Sequence, residues 1–533
     1  MTEASTKPSV VYRRCRMRLD PNSIQLGVLR QQVGAARAAY NMMCAHNHEI
    51  DQSREGRHKE LADAGLDSRT AWKQVNREAK TNPSLKILSY QKFDTNVLTP
   101  EIQRHREAAA DIEAGADPAT VWGKNERYPE PWLHTVRRRV LVSNLRNCGA
   151  AFSNWIASKT GKRKDPKMGP PKFKRKHRSR ESFTIPAPEA MGPKSFATYK
   201  RGEARSGEIT DYRHVRLSHM GTFRTFDSTK RLVRALRLGG VLKSYAVSRA
   251  ADRWYVSFLV EHPAPQEPPQ PTRRQRTTGA VGIDLGVGRL ASLSTGEGVH
   301  NPRHLARAER KIKRTQRKLD RAQKGSNRSK KLAQRLARHH HTVALQRRGF
   351  LNELTTALAG GFVAIGVEDL NVSGMTSSAR GTVDNPGKNV KQKAGLNRAI
   401  LDASPGEFRR QLDYKCTERG VALVAVDQFF SSSQICSACG SKAKMPLAKR
   451  IYDCRQCGML LDRDVNVAIN ILREATRLAQ ANREDSSAPE GTEDKWPWSP
   501  QHTRFARLGV GGSRSGKIHV VTAVGSAAWI GDI

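Results

Sequence analysis

Apolar residues along this chain change period several times, and each change marks an element. Val10 to Leu19 (VVYRRCRMRL) alternates apolar and basic positions, the period-two pattern of a half-exposed strand. Asp20-Pro21-Asn22-Ser23 predicts a turn and a helix start. Leu26, Leu29, Val33, Ala36 and Tyr40 then share one face of a helix running to about His48. Residues 50–125 read as mostly helical, with Leu61, Trp72, Val75, Leu85, Ile87, Leu98 and Ile102 as core and the Ala- and Asp-rich stretch 108–118 as a loop. A helical pair carrying Trp122, Trp132, Val136, Val140, Leu141 and Leu145 continues to about Ser158. Strands are expected at Ser182–Ile185, His214–Leu217, Arg231–Leu238, Tyr245–Arg249 and Trp254–Val260. With the first strand they would close a β-barrel interrupted by the helical insertion. The Pro-rich stretch 262–279 reads as a linker.

The second half is organised around Val281-Gly282-Ile283-Asp284-Leu285-Gly286-Val287-Gly288. An apolar run delivers Asp284 at its end, glycines follow, and a second run (Leu290 to Leu293) returns, which predicts a β-hairpin. Glu368 ends the next apolar run, Phe362 to Val367. Between them, Leu305 to Ala359 is basic and helical, broken at Gly325-Ser326-Asn327. Residues 372–400 read as a loop, Pro405 to Arg419 as a helix stopped by Gly420, and Val421 to Val426 as a strand. Asp464 stands where a last helix, Val465 to Ala479, begins. Residues 480–533 read as mostly disordered, with a strand expected at Ile518–Val524.

Charge narrows the partner. The chain has 533 residues and a formal net charge of +43, so several domains and a polyphosphate partner are expected, an anionic membrane surface being the other candidate. No apolar run reaches membrane-spanning length and no apolar leader region is visible, so a soluble protein is expected, not a secreted or membrane one. Basic residues gather in two places. One is Lys162-Arg163-Lys164 and the block Lys172, Phe173, Lys174, Arg175 and Lys176; the other is Arg310, Lys311, Lys313, Arg314, Arg317, Lys318 and Arg321 with Lys330, Lys331, Arg335 and Arg338. The first fits phosphate contact with base stacking, or a solvated flexible loop. The second fits two helices tracking a nucleic-acid backbone, or a coiled coil with solvated flanks. The Trp and Tyr residues of the helical region serve as core or as base-stacking platforms. His339-His340-His341 suggests a metal site or a polar helix face.

Cys15, Cys44, Cys148 and Cys416 are scattered and read as buried thiols. Cys436-Ser437-Ala438-Cys439-Gly440 and Cys454-Arg455-Gln456-Cys457-Gly458 have the spacing of a structural zinc ribbon, a redox pair being the alternative. Four thiolates would fill a tetrahedral site and leave no open position for catalysis. The ribbon would help to place Asp464. Asp284, Glu368 and Asp464 are either strand-end acids on a solvated rim or three carboxylates converging on divalent metal. Two ions about 4 Å apart would clamp the attacking and leaving oxygens of a phosphodiester.

Taken together these stretches resemble the TnpB proteins of insertion sequences and the compact type V CRISPR nucleases. The resemblance rests on Gly282 to Gly286, Val367-Glu368-Asp369-Leu370-Asn371, Phe408 to Leu412 with Tyr414-Lys415, Val426-Asp427 with Ser432-Ser433-Gln434, both cysteine pairs, and Asp462-Arg463-Asp464-Val465-Asn466-Val467-Ala468. Pro171 to Lys174 and Arg253 to Val256 add to it, and it covers about 10–49 and 135–475. It implies a multidomain α+β protein: an N-terminal wedge β-barrel (1–49 and 159–261) with a helical recognition lobe (50–158), and the linker (262–279). An RNase H-like α/β RuvC nuclease domain (280–430) would follow, with an inserted zinc ribbon (431–461), a last catalytic segment (462–479) and a tail (480–533). It implies Asp284, Glu368 and Asp464 as catalytic acids, Asp464 being preferred to Asp462, and Arg450 near the scissile strand. Two magnesium ions, one zinc and a guide RNA are the implied cofactors, double-stranded target DNA the implied substrate, and a monomer or a homodimer on one guide RNA the implied assembly. The implied activity is RNA-guided DNA cleavage beside a short flanking motif, with the heteroduplex held in a basic channel. A guided binder that does not cut is the alternative, and transposon or CRISPR origin is open. Transposases of this fold use the acid order Asp, Asp, Glu, which is not the order here. The insertion at about 50–134 is longer than a minimal TnpB would have.

Overall fold

The computed structural model of the chain describes residues 10–123, 130–163, 167–176, 178–186, 212–217, 220–263, 269–446 and 449–485. It divides into two units, Met1–Ala264 and Pro265–Ile533. Lys164 and the strand expected at Ile518–Val524 lie outside the described residues.

The first unit contains β1 (Val10–Asp20), α1 (Ser23–Asp63), α2 (Ser68–Glu78), α3 (Tyr90–Phe93), α4 (Thr99–Glu113), α5 (Pro118–Val121) and α6 (Arg138–Lys159). These are followed by β2 (Ser182–Pro186), β3 (His214–Leu217), β4 (Gly221–Thr225), α7 (Lys230–Arg237), β5 (Val241–Ala250) and β6 (Arg253–Pro263). The strands form one antiparallel sheet in the order β2-β5-β6-β1-β4-β3. Among the described residues no ladder joins β2 to β3, so closure into a barrel is not part of what is observed. Met17, Leu19, Phe183, Phe223, Tyr245 and Phe258 build its core, against which Leu29 and Val33 of α1 pack. A second core, with Tyr40, Met43, Phe93, Leu98, Leu145 and Phe152, ties α1 to the other helices.

Several expectations need correction here. The helix predicted to end near His48 runs 41 residues to Asp63 after an Asn22–Gln25 capping box. Arg57 braces its far end, meeting Glu60 one turn on and Glu78 of α2, each at 2.9 Å. Ala108 to Asp111 is helix, not loop: alanine is the best helix former, and the run sits inside α4. Arg231 to Arg237 is also helix, with Leu238 as its cap. Arginine recurs there at every third position while Leu232, Val233 and Ala235 go inside, a helical period that valine and leucine content disguised. The short strand β4 had no expectation at all. The stretch 262–279 holds the end of β6 and the helix α8 (Arg273–Thr278) as well as linker.

The second unit continues with β7 (Ala280–Leu285), β8 (Arg289–Leu293), β9 (Gly298–His300), α9 (His304–Asp320), α10 (Asn327–Gly361), β10 (Ala364–Glu368) and α11 (Val372–Met375). Then come α12 (Val390–Ala403), α13 (Pro405–Arg419), β11 (Ala422–Val426), β12 (Ile451–Asp453), β13 (Leu460–Asp462) and α14 (Arg463–Asp485). Residues 390–400, expected as loop, belong to α12. The main sheet has the order β11-β10-β7-β8-β9, with β10 parallel to β7 and β11 and the β7-β8-β9 meander antiparallel.

Strand alternation sorts the two faces of this sheet. Val281, Ile283, Ile365 and Val367 pack with Leu351 and Leu358 of α10 and Phe408 and Leu412 of α13. Ala280 and Ala364 pack with Ile471, Leu472 and Ala475 of α14. Asp284 and Glu368 share the parity of Ala280 and Ala364, so they stand on the α14 face.

Candidate active site and cysteine cluster

Register brings the acids level. Ile283 pairs with Val367, and Glu368 with Val426, so β7, β10 and β11 finish side by side at their carboxyl ends. Helix α14 reaches them because two strand positions lack a side chain. A Cβ on Gly282 would collide with Ala468 O and sit 2.7 Å from Leu472 N, and one on Gly366 would come 2.8 Å from Ala475 Cβ. The helix therefore lies directly on β7 and β10, with Asp464 in its first turn. The electrostatic consequence appears at Asp284. Burial raises its carboxyl to about 7, the charges of Asp464 and Glu368 add to the rise, and Arg463 opposes it. Burial also raises Glu368 above the usual carboxylate range.

The neighbouring acid Asp462 has other work. Its Oδ1 accepts the N–H groups of Asp464 at 3.0 Å and Val465 at 3.3 Å, capping α14, and its Oδ2 pairs with Arg289 of β8 at 2.9 Å. Asp464 instead has the guanidinium of Arg450 at 3.9 Å.

The four cysteines of the two pairs come together, with all sulfurs within 4.8 Å of one another. Cys436 and Cys457 are 3.7 Å apart and Cys439 and Cys454 3.6 Å. A disulfide needs about 2.05 Å, whereas sulfurs at about 2.3 Å from a shared tetrahedral zinc lie about 3.8 Å apart. The donor set thus fits zinc. The Ser441 hydroxyl, 3.3 Å from the Cys454 sulfur, leads the interactions that pull that thiol down to about 6, while burial pushes the Cys436 thiol up. Two buried asparagines one turn apart join this cluster to α14. Asn466 accepts Ser437 N–H at 2.8 Å and donates to Ile435 O at 2.8 Å; Asn470 donates to Ser432 O at 2.9 Å and Ile435 O at 2.7 Å. Sequence reasoning passed over Asn470, Arg289 and the packing role of Gly282 and Gly366. The signal was available in the asparagines, which recur at helical spacing on a face that is otherwise apolar.

Comparison with known proteins bears on the same segments. A family model described as OrfB_IS605, probable transposase, matches residues 257–379, and one described as Cas12f1-like, TNB domain, matches 406–471. A Streptomyces pristinaespiralis protein named "Putative RNA-guided DNA endonuclease" is 32% identical over 376 residues, 70% of this chain and 79% of that protein. The chain belongs to the TnpB family. Escherichia coli K12 has a relative named "Putative RNA-guided DNA endonuclease InsQ", 40% identical over 44% of this chain and 56% of its own length. A mimivirus "TnpB-like protein L79" is 30% identical over 27% of this chain and 25% of its own length. In this TnpB-family chain the first matched segment holds Asp284 and Glu368, and the second holds the four cysteines and Asp464.

The basic residues divide by placement. Arg310, Lys311, Arg314, Arg317 and Lys318 of α9 and Lys330, Lys331 and Arg335 of α10 are exposed around a thin seam of Ile312, Thr315 and Val343. Lys318, Lys331 and Arg335 line one cleft with Arg328 and Leu332. The block at 172–176 is docked rather than loose. Asn41 of α1 exchanges hydrogen bonds with Lys174 N at 2.8 Å and Lys174 O at 3.0 Å, and a ring nitrogen of His48 lies 2.7 Å from Pro171 O. Lys174 itself is half-buried over the Tyr40 ring, leaving Lys172, Phe173, Arg175 and Lys176 exposed. Trp122 and Trp155 are buried and Trp72 stacks on His58, so these rings are packing elements. His339, His340 and His341 project about 100° apart around α10, and among the described residues only the cysteines form a metal-sized cluster.

Proposed function

We propose that this protein is an RNA-guided DNA endonuclease. A guide RNA pairs with one strand of double-stranded DNA beside a short flanking motif that the first unit reads. Asp284, Glu368 and Asp464, gathered less closely than the four sulfurs, would draw in around two magnesium ions as a RuvC-type site, and Cys436, Cys439, Cys454 and Cys457 would hold one structural zinc. The observation that carries the reading is the register that ends β7 and β10 side by side at Asp284 and Glu368, with Asp464 in the first turn of the helix packed on them; the carboxyl of Asp284 is raised first by burial and then by those two acids. Such a concentration of negative charge is costly without a cation, and charge-dense oxygen donors are what magnesium prefers. Magnesium bound there would activate water and stabilise the leaving oxygen of a phosphodiester.

The chain's own residues supply the rest. Asp462 and Arg289 hold the first turn of α14, and the asparagine clip holds that turn against the cysteine cluster. Arg450 is positioned to meet a phosphate next to Asp464. The exposed arginines and lysines of α9 and α10 track the heteroduplex backbone, as do Lys172, Arg175 and Lys176. Open parallel-antiparallel topology and the family's named relatives support the same reading. The test is cleavage of a plasmid matched to the co-purifying RNA, in magnesium, beside Asp284→Ala. Cutting that needs both the RNA and Asp284 is expected; a discrete bound RNA without any cutting would leave a guided binder.

A further inference from the structure

Beyond Val426 the chain makes a tight turn that displays one aromatic ring. Asp427 Oδ1 accepts Phe429 N–H at 2.7 Å, and Asp427 O accepts Phe430 N–H at 3.0 Å. Phe430 folds back onto the core of Val426, Val467 and Ile471, and Ser432 O is held by Asn470 of α14. Phe429 is left 83% exposed. Two other exposed phenylalanines are covered on one side: Phe226 by the Arg18 guanidinium, and Phe173, 50% exposed, against the His48 ring. Among the described residues Phe429 has neither a ring nor a cation against it. A fixed backbone beneath an uncovered apolar ring is a built feature, and its position says what it meets. Val426 is in register with Glu368, one strand from it and two from Asp284. At about 4.8 Å per strand this sets the start of the turn about 5 Å from the end of the Glu368 strand and about 10 Å from that of the Asp284 strand. The larger distance is about three nucleotides along a strand at its duplex rise.

We propose that Phe429 stacks on a nucleobase of the DNA strand being cut, close to the scissile phosphate. The proposal rests on the nuclease reading above. A phenyl ring suits this position because stacking tolerates any base and adds no charge beside the acids. The ring fixes the approach of the strand and takes no part in bond breaking, so Phe429 is a positioning residue.

The test uses the full chain with its co-expressed RNA and DNA oligonucleotides matched to the guide, carrying 2-aminopurine at successive positions around the cut. Binding is read in an Asp284→Asn background, so the DNA stays intact. Quenching confined to one or two positions is expected, lost in Phe429→Ala and kept in Phe429→Trp. In the active protein, Phe429→Ala should raise KM for single-stranded DNA about tenfold, one stacked base, while Phe429→Trp restores it. A quench profile unchanged by Phe429→Ala, or a defect that Phe429→Trp does not relieve, overturns the proposal while normal cutting leaves the nuclease intact. A wild-type complex that never cuts overturns the nuclease reading, and the proposal with it.

Discussion

At Asp284 burial and two neighbouring carboxylates act in the same direction, and the result is a residue that opposes its own fold when ionised. Its carboxyl rises from an ordinary 3.8 to about 7 in the folded chain. The folded state therefore binds the proton more tightly than the unfolded one. That contribution is complete below about pH 4 and disappears as pH climbs through about 7. Asp284→Asn should abolish cleavage yet stabilise the magnesium-free protein at pH 8, by up to about 4 kcal/mol, and by little at pH 4. Urea denaturation of the zinc-loaded protein without added magnesium, at the two pH values, measures it. The pair Asp462 and Asp464 separates similarly. Asp464→Ala should eliminate cutting, whereas Asp462→Ala should cost about 1 kcal/mol of stability through the lost cap and only reduce the rate. Thermal melts beside cleavage assays would tell the two apart. At this scale the sequence was informative about which residues are acids at the ends of apolar runs. It was silent about Arg289, because an ion pair across more than 170 positions leaves no local pattern.

Among the elements, α14 is the one that assembles the site. It crosses β7 and β10 at the two glycines, where any Cβ would run into it. Gly282→Ala should destabilise the second unit by about 3 kcal/mol or more, since backbone and not a flexible side chain stands in the way. A lowered melting temperature with loss of cutting is the expected result. The zinc prediction lives here too. One zinc per chain should be found by metal analysis, and Cys454→Ser should remove it and weaken cutting, because the asparagine clip has no fixed partner once the cluster loosens. Periodicity identified β7, β10, α13 and the start of α14, each a long or strongly patterned run bounded by a stop signal. It failed at α7, where eight residues carry a helical stripe of leucine, valine and alanine that also reads as a short apolar strand, and at α12, whose polar face resembled loop composition. It said nothing of the face-sharing by Asp284 and Glu368 until the sheet order was known.

For the whole molecule, charge is the dominant fact. A net +43 spread over two units cannot be balanced internally, and the α9–α10 hairpin displays it with few acids. Affinity for nucleic acid should fall steeply with salt. Replacing Arg314, Arg317 and Lys318 together by glutamine should flatten the log–log slope by about 2 to 3, measured by filter binding from low to physiological salt. Unchanged slope would remove the hairpin from the binding surface.

The order of parts along the chain also has a biosynthetic consequence. Asp284 and Glu368 emerge from the ribosome early, but Asp464 follows the last cysteine and is held by a helix that leans on the finished cluster. An unfinished chain already carries its polycationic hairpin but not the third acid, and a zinc-starved chain carries that acid on a helix whose anchor has loosened. On the proposed reading, both translation and metal supply would have to be complete before the site could cut.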